Sequence, residues 1–214
     1  MQLPGLSVSI AGLPRGEGLA WTKPRGAIAW AAGFQPTKDA AGVRAIQLDG
    51  TMPGLRAREL DRSARRDLAS VLRRAELALS GVDLWIPPEH FEAGEHQDRA
   101  VAAVIDAAGL LGDVVGLVGL GSPTLCVRWP KELNGGVRAA MVAAADARGV
   151  VIADFGKGET QPPIGVGVDP ATVMFAGGDA AAAASAAGDR LRAARLSDAD
   201  EAGRRVVGEG RLDV

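Results

Sequence analysis

Residues 150–169 read VVIADFGKGETQPPIGVGVD, two short apolar runs that each end in an aspartate, Asp154 and Asp169. Short apolar runs bounded by glycine and proline are typical of buried β-strands. The same unit recurs along the chain, with an amphipathic stretch between one run and the next. The predicted strands are Leu6–Ile10, Val43–Leu48, Val82–Ile86, Val114–Val118, Val150–Ala153, Ile164–Val168 and Leu191–Leu196.

Strands that alternate with helices indicate a parallel sheet, here an α/β barrel with its functional face at the C-terminal strand ends. Long segments follow the strands and tight turns precede them, as this arrangement requires. Seven strand–helix units can be found, so we predict a single barrel domain over residues 1–214 that lacks the eighth β/α unit. The predicted helices are Ser63–Leu79, Asp98–Leu111, Gly135–Arg148 and Asp179–Gly188.

Composition narrows the class of protein. The chain has 214 residues, 24 of them basic and 26 acidic, and its formal net charge of −2 argues against a nucleic-acid or membrane partner. No uninterrupted apolar run approaches the ~18 residues that cross a bilayer, and the first residues do not form a secretory signal. A single cysteine, Cys126, excludes an internal disulfide. The sequence therefore predicts a cytoplasmic protein.

Three segments resemble a known family. They are GVRAIQLDGTMPGLRARELDRSARRDLASVLRRAELALSGVDLWIP (42–87), HQDRAVAAVIDAAGLLGDVVGLV (96–118) and the stretch from GVGVDPATVMFAGGD (165–179) to GRRVVGEGRLDV (203–214). They resemble the xylose isomerase-like TIM barrel superfamily, the sugar phosphate isomerase/epimerase group. The resemblance implies a TIM-type (β/α) barrel and isomerase chemistry in carbohydrate metabolism. In that group a divalent metal, held by carboxylates and a histidine, promotes proton transfer between adjacent sugar carbons.

The resemblance also implies that the metal site is degraded. It places the fifth-strand acid at or near Asp154 and the sixth-strand acid at Asp169. Thr172 and Arg195 stand where the group has histidines, and the eighth-strand glutamate has no counterpart up to Val214. A hard cation needs several oxygen ligands, so we expect no tightly bound Mg, Mn or Zn and predict no cofactor or metal-ligating residue.

The candidate catalytic residues are Asp154, Asp169, Asp198 and His90. One carboxylate would act as the base on a carbon next to a carbonyl, and a metal or a guanidinium would stabilise the enediolate oxygen. His90 lies in the acidic loop PPEHFEAGEH (87–96), where it could serve in acid–base chemistry or lie on the surface ahead of a helix.

The candidate substrate-binding residues are Asp49, Arg195, Trp129, Arg204 and Glu209. Arg195 is expected within reach of Asp169, because the two follow successive strands. Asp49 could face the ligand or form a turn with the glycine that follows it. Trp129 could be a wall of the site or pack against the barrel rim. Arg204 and Glu209 lie in a terminal segment that would cover the face or contact a second subunit.

Two functions fit these residues. The first is a sugar or sugar-phosphate isomerase/epimerase-like protein, favoured by the carboxylates at the strand ends. The second is a non-catalytic barrel that binds a small polar ligand or a protein partner at its C-terminal face, favoured by the lost histidines. The absent unit leaves two strand edges, which proteins seldom leave bare, so we also predict a homo-oligomer.

Overall fold

The structure is a computed structural model that describes residues 7–11, 19, 22–34, 42–118, 123–156, 163–205 and 209–212. Within these ranges, seven parallel strands form one sheet, and their order in the sheet is their order in the chain. They are β1 (Ser7–Ser9), β2 (Ala45–Asp49), β3 (Ala78–Asp83), β4 (Thr124–Val127), β5 (Val151–Asp154), β6 (Gly165–Val168) and β7 (Leu191–Ala194). The architecture is a TIM-type barrel lacking one unit, as predicted.

In the described part of the chain, six helices connect the strands: α1 (Pro24–Ala32), α2 (Arg62–Arg74), α3 (Gln97–Val118), α4 (Gly135–Asp146), α5 (Pro170–Phe175) and α6 (Ala180–Ala187). Single 3-10 turns cover Ala57–Glu59, Pro88–Phe91 and Gly188–Arg190. After β7 the chain forms an antiparallel hairpin of β8 (Asp198–Asp200) and β9 (Gly203–Arg205). This hairpin lies just after the predicted seventh strand, Leu191–Leu196, and it includes Arg204.

Alternation along the strands separates two environments. Side chains that face the helices form the main core, with Ile46, Leu48, Val82, Leu125 and Ile152 all almost fully buried. Successive residues of a strand point to opposite faces, so their neighbours face the concave side of the sheet. There a smaller cluster contains Cys126, Ala153 and Phe155. The apolar core is therefore between sheet and helices, and the concave side is left for polar groups.

The fourth strand is not where the sequence predicted it. Residues 114–118 are the last turns of α3, and β4 lies at Thr124–Val127, inside a segment that we expected to be a loop. The run VVGLV continues the buried stripe of Val104, Leu111 and Val114, so helical packing prevails over its strand-like composition. Gly112, which looked like a helix end, lies within α3, where a Cβ would come 3.0 Å from the Arg148 Cβ.

The third strand also begins earlier than predicted. The expected helix Ser63–Leu79 ends at Arg74, because Glu76 adopts a left-handed φ of 53° and turns the chain. The helix is capped by the Asp61 side chain, which accepts from the Ala64 N–H at 2.8 Å. Strand β3 then runs through Ala78–Asp83, so Asp83 becomes its last residue. That shift places a carboxylate at the functional end of the sheet.

Helix α3 is long and apolar. Its most apolar 18-residue window has a mean hydropathy of 2.0, and by length and composition alone it could cross a membrane. In this fold it packs between α2 and α4 through its apolar face, and Asp113 adds ion pairs to Arg65 at 2.6 Å and to Arg148, just after α4, at 3.1 Å. Seven of its residues are buried. A barrel helix with one buried face passes the same hydropathy test.

The described sheet ends at β1 on one side and at β7 on the other. The structure holds one chain, so self-association through these edges stays a prediction. A cytoplasmic location and the extent of a single domain over residues 1–214 are likewise predictions from the sequence.

Gly81 provides a test of the strand packing. A Cβ at this position would lie 2.1 Å from the Thr124 carbonyl oxygen of the neighbouring strand. Gly81→Ala is therefore expected to lower the free energy of unfolding by about 1–3 kcal/mol, measured by urea titration. Gly116→Ala on α3, where a Cβ meets nothing within 4 Å, is the control and should raise stability by about 0.5–1 kcal/mol. Equal effects at the two glycines would contradict this close approach of the strands.

Candidate functional site

A buried ion pair lies at the C-terminal end of the barrel. Asp83, the last residue of β3, is 1% exposed and accepts hydrogen bonds from the Arg195 guanidinium and from the Ser9 hydroxyl at 2.9 Å. Burial raises the pKa of Asp83, and the positive charge of Arg195 opposes that shift. Arg195 follows β7, four strands from β3 in the sheet. The pair therefore joins distant strands across the concave side.

Two aromatic rings hold the Arg195 guanidinium in place. Its central carbon lies 4.7 Å from the centre of the Trp85 ring and 4.2 Å from that of Phe155. Stacking on aromatic faces stabilises a guanidinium without removing its in-plane donors. Gly167 makes room for this arrangement, because a Cβ there would lie 2.4 Å from the Phe155 ring. The guanidinium is thus fixed at the centre of the barrel end.

Asp169 follows β6 and extends the network toward solvent. It accepts from Ser197 at 2.5 Å, from Thr172 at 2.8 Å and from Arg204 at 2.5 Å, and the Arg195 Nη1 lies 3.9 Å away. Burial would raise the pKa of Asp169, but the hydrogen bonds from Arg204, Ser197 and Thr172 outweigh it and lower the pKa to about 2. We name the sequence Asp83–Arg195–Asp169–Arg204 the charge chain. The expected proximity of Asp169 and Arg195 is confirmed.

Two further predicted residues lie outside the charge chain: Asp154, at the end of β5, and Trp129, in the loop after β4. The Asp154 Oδ1 accepts from the Trp129 N–H at 3.1 Å and the Gly156 N–H at 2.7 Å, so the carboxylate holds two loop backbones. Burial raises its pKa, and those two hydrogen bonds oppose the shift. Trp129 is 3% exposed, and its indole N–H has no partner among the described residues. Ala153 faces the concave side of the sheet, so the next residue of the strand, Asp154, points to the opposite face.

Asp198 organises the terminal segment. Its side chain is fully buried and accepts from the backbone N–H groups of Ala199, Gly210 and Leu212, each at 2.8 Å. Arg204, on the adjacent strand of the hairpin, belongs to the charge chain. Glu209 is exposed and makes no described contact with the chain's charged groups other than a long-range attraction to Arg205.

Asp49 and His90 have different surroundings. Asp49 ends β2 beside Asp83 in the sheet register and accepts from the Thr51 N–H at 2.8 Å and hydroxyl at 2.6 Å, so its carboxylate forms the turn that was one of its two expected roles. His90 lies on the turn Pro88–Phe91, with its ring 4.5 Å from that of His96. It faces the outer side of β3 rather than the charge chain.

Sequence reasoning missed several members of this site: Asp83, Trp85, Phe155 and the hydroxyl groups of Ser9 and Ser197. The register of β3 decides the roles of Asp83 and Trp85, whereas Phe155 follows β5. With the strand taken as Val82–Ile86, Asp83 is an internal residue. With the strand ending at Asp83, it is a strand-end carboxylate like Asp49, Asp154 and Asp169. The one sequence feature that could have indicated Asp83 and Trp85 is the segment VDLW (82–85), in which a tryptophan follows an aspartate two residues later.

The residues do not fit the divalent metal that the family resemblance implies. Among the described residues no group of three or more His, Cys, Asp or Glu side chains could hold a metal ion. The Asp169 oxygens already accept from three side chains, and Arg195 places a positive charge between the two acids of the chain. A guanidinium there repels a cation. The charge chain therefore presents a guanidinium where the resemblance implies a bound cation.

The Asp83–Arg195 pair can be tested by a double-mutant cycle. Arg195→Met leaves a buried carboxylate unpaired and is expected to lower the free energy of unfolding by about 3–5 kcal/mol. Asp83→Asn in the Met background should restore part of this loss, because no buried charge remains. Denaturant titration of the four proteins measures the coupling, and additive effects would contradict a direct pair.

The Asp169 pKa predicts how stability depends on pH. Its folded-state pKa of about 2 lies below the ordinary 3.8, so the carboxylate stabilises the fold above about pH 4, and this contribution is lost as pH falls toward 2. Because Arg204 is half exposed, we expect only about 1 kcal/mol. Asp169→Asn should flatten the loss of stability between about pH 5 and pH 2.5. Asp67→Asn, on the exposed face of α2, is the control and should follow the unmodified protein.

Comparison with known proteins identifies the fold. No family model and no curated protein matches the chain. Among solved structures, a xylose isomerase domain protein from Planctomyces limnophilus superposes with a TM-score of 0.65 at 15% identity, covering 96% of this chain and 81% of that chain. A xylose isomerase-like TIM barrel/4-hydroxyphenylpyruvate dioxygenase fusion protein superposes with a TM-score of 0.58 at 17% identity, covering 97% of this chain and 35% of that chain. The chain thus has the fold of the xylose isomerase-like TIM barrels.

Proposed function

We propose that this barrel binds a small hydroxylated, sugar-like ligand at the C-terminal end of its strands without a divalent metal. One observation carries the proposal: the Arg195 guanidinium, stacked between Trp85 and Phe155, stands between the two carboxylates of the charge chain. A fixed guanidinium offers hydrogen-bond donors where a metal-dependent relative would use a cation. This is the second of the two functions that the sequence left open.

The rim of the charge chain suits a ligand of this class. Trp85 is 36% exposed, so part of its ring is free to cover an apolar face of a sugar ring. The Arg204 side chain is 49% exposed, so its guanidinium holds the buried Asp169 carboxylate and also reaches the surface. Binding sites commonly combine aromatic walls with a few oriented polar groups. A hydroxylated ligand can accept from the Arg204 N–H groups that Asp169 does not use.

A second candidate is metal-free isomerase or epimerase chemistry, and one observation favours it. Asp83 has a raised pKa and touches Arg195, so a base and a positive group lie side by side. In such a reaction Asp83 would take the proton from a carbon next to a carbonyl, while Arg195 would stabilise the enediolate oxygen. The substrate would have to reach a carboxylate that is 1% exposed. Ligand binding at the rim needs no such access, so we place it first.

The ligand proposal predicts metal-independent binding. We expect a panel of pentoses, hexoses and their phosphates, titrated in the presence of EDTA, to include a member that shifts the Trp85 indole resonance in the NMR spectrum. Arg204→Met should weaken that binding about tenfold, because a charge-assisted hydrogen bond is lost. Arg205→Met is the matched control, since Arg205 pairs with Asp200 instead of the charge chain, and should bind normally.

Two results would contradict the proposal: binding that appears only when Mn, Zn or Mg is added, and a full panel that leaves the Trp85 resonance unmoved. The same panel, followed for interconversion of sugars, tests the second candidate. Turnover that persists in EDTA and is abolished by Asp83→Asn would establish isomerase chemistry in place of simple binding.

A further inference from the structure

A large cavity lies on the opposite side of the sheet from the charge chain. Its volume is about 510 Å³, within the range of small-molecule sites. Val82, Leu84 and Ile86 form one wall, on the helix-facing side of β3 and its extension. Asp83, which lies between Val82 and Leu84, points to the other face of the sheet and belongs to the charge chain. The cavity is therefore a separate compartment that the proposed function does not use, and His90 is the one candidate catalytic residue from the sequence that lines it.

Small side chains on α3 keep the cavity open. Ala102, Ala103 and Ala107 line it, with Leu110 beside them. Residues three and four apart share one face of a helix, so these form a single stripe along α3. Leu55, in the loop after β2, lines it from another side. Larger side chains at these helix positions would fill the space, so the opening depends on the small residues of α3.

Basic groups dominate the polar part of the lining. Arg56, Arg58, Arg99 and His90 line the cavity, and Asp106 is the acid among its lining residues. Arg56 is held by the Thr51 carbonyl at 3.0 Å and by Glu59 at 3.1 Å. Arg58 is exposed, and its side chain has an electrostatic attraction to Glu59 but no described side-chain hydrogen bond. The cavity thus combines apolar walls with an edge that carries a solvent-exposed guanidinium.

We propose that this cavity binds an amphiphilic carboxylate, with its apolar chain among Leu84, Ala103 and Leu110 and its carboxylate at Arg58. An apolar chain replaces water against aliphatic walls, and a carboxylate meets the geometry of a guanidinium. A sugar would leave most of its hydroxyl groups unpaired against these walls, which distinguishes this ligand class from that of the charge chain. The charge complementarity selects a fatty-acid-like ligand over a neutral apolar one.

Decanoate is the probe for this proposal. In a ¹H–¹⁵N NMR titration of the full chain, we expect decanoate to shift the amides of Leu84, Ala103 and Leu110. Decanol, which has the same chain without the charge, should bind about tenfold more weakly, and acetate, which has the charge without the chain, should leave these amides unmoved.

Variants on the exposed surface separate the charge from the fold. Arg58→Ala should weaken decanoate binding about tenfold and leave decanol binding unchanged. Arg66→Ala, on an exposed position of α2 outside the cavity lining, is the matched control and should bind decanoate as the unmodified protein does. The proposal is overturned if decanoate leaves the three amides unmoved, if decanol binds as tightly as decanoate, or if both arginine variants weaken binding equally.

Discussion

The two-residue alternation of a β-strand is the constraint on which this molecule depends. In the segment Val82–Asp83–Leu84, the first and third side chains face the helices and the second faces the concave side of the sheet. Three consecutive residues therefore lie in two environments, the apolar core beneath the helices and the polar concave side of the sheet. Shifting the register of β3 by one residue would exchange them, placing a carboxylate in the apolar core and leucine beside Arg195.

This alternation also explains why the polar groups of the barrel form a network and not isolated sites. The concave side is narrow, and residues from β1, β3, β6 and the segment after β7 meet there. The polar groups pair with one another: the Ser9 hydroxyl and the Arg195 guanidinium donate to Asp83, and Arg195 also lies near the Asp169 carboxylate. Buried charges are tolerated only under that condition. The network thus belongs to the architecture as much as to any ligand.

Sequence patterns predicted the sheet better than the site. Runs such as VVIAD and IGVGVD are predicted only as strands, because glycine or proline residues flank them and they are too short to form helices. The run VVGLV fits either a strand or the end of a helix. The packing of α3 against α4 decides between them, and no local pattern encodes that packing. The same holds for Asp83, whose role follows from where β3 ends. By contrast, the nearness of Asp169 and Arg195 followed from strand order alone. Long-range partners such as Ser9 and Phe155 lie outside the reach of any local pattern.

The central guanidinium has a consequence for how such a barrel changes over generations. Arg195 is simultaneously the partner of Asp83, the filling between Trp85 and Phe155, and a neighbour of Asp169. Replacing Arg195 with histidine alone would leave the buried Asp83 carboxylate without its ion pair and would leave a gap between the rings of Trp85 and Phe155. The route between this arrangement and a metal-binding one therefore passes through several coordinated replacements. The packing around Arg195 therefore holds the guanidinium in place whatever ligand the barrel binds.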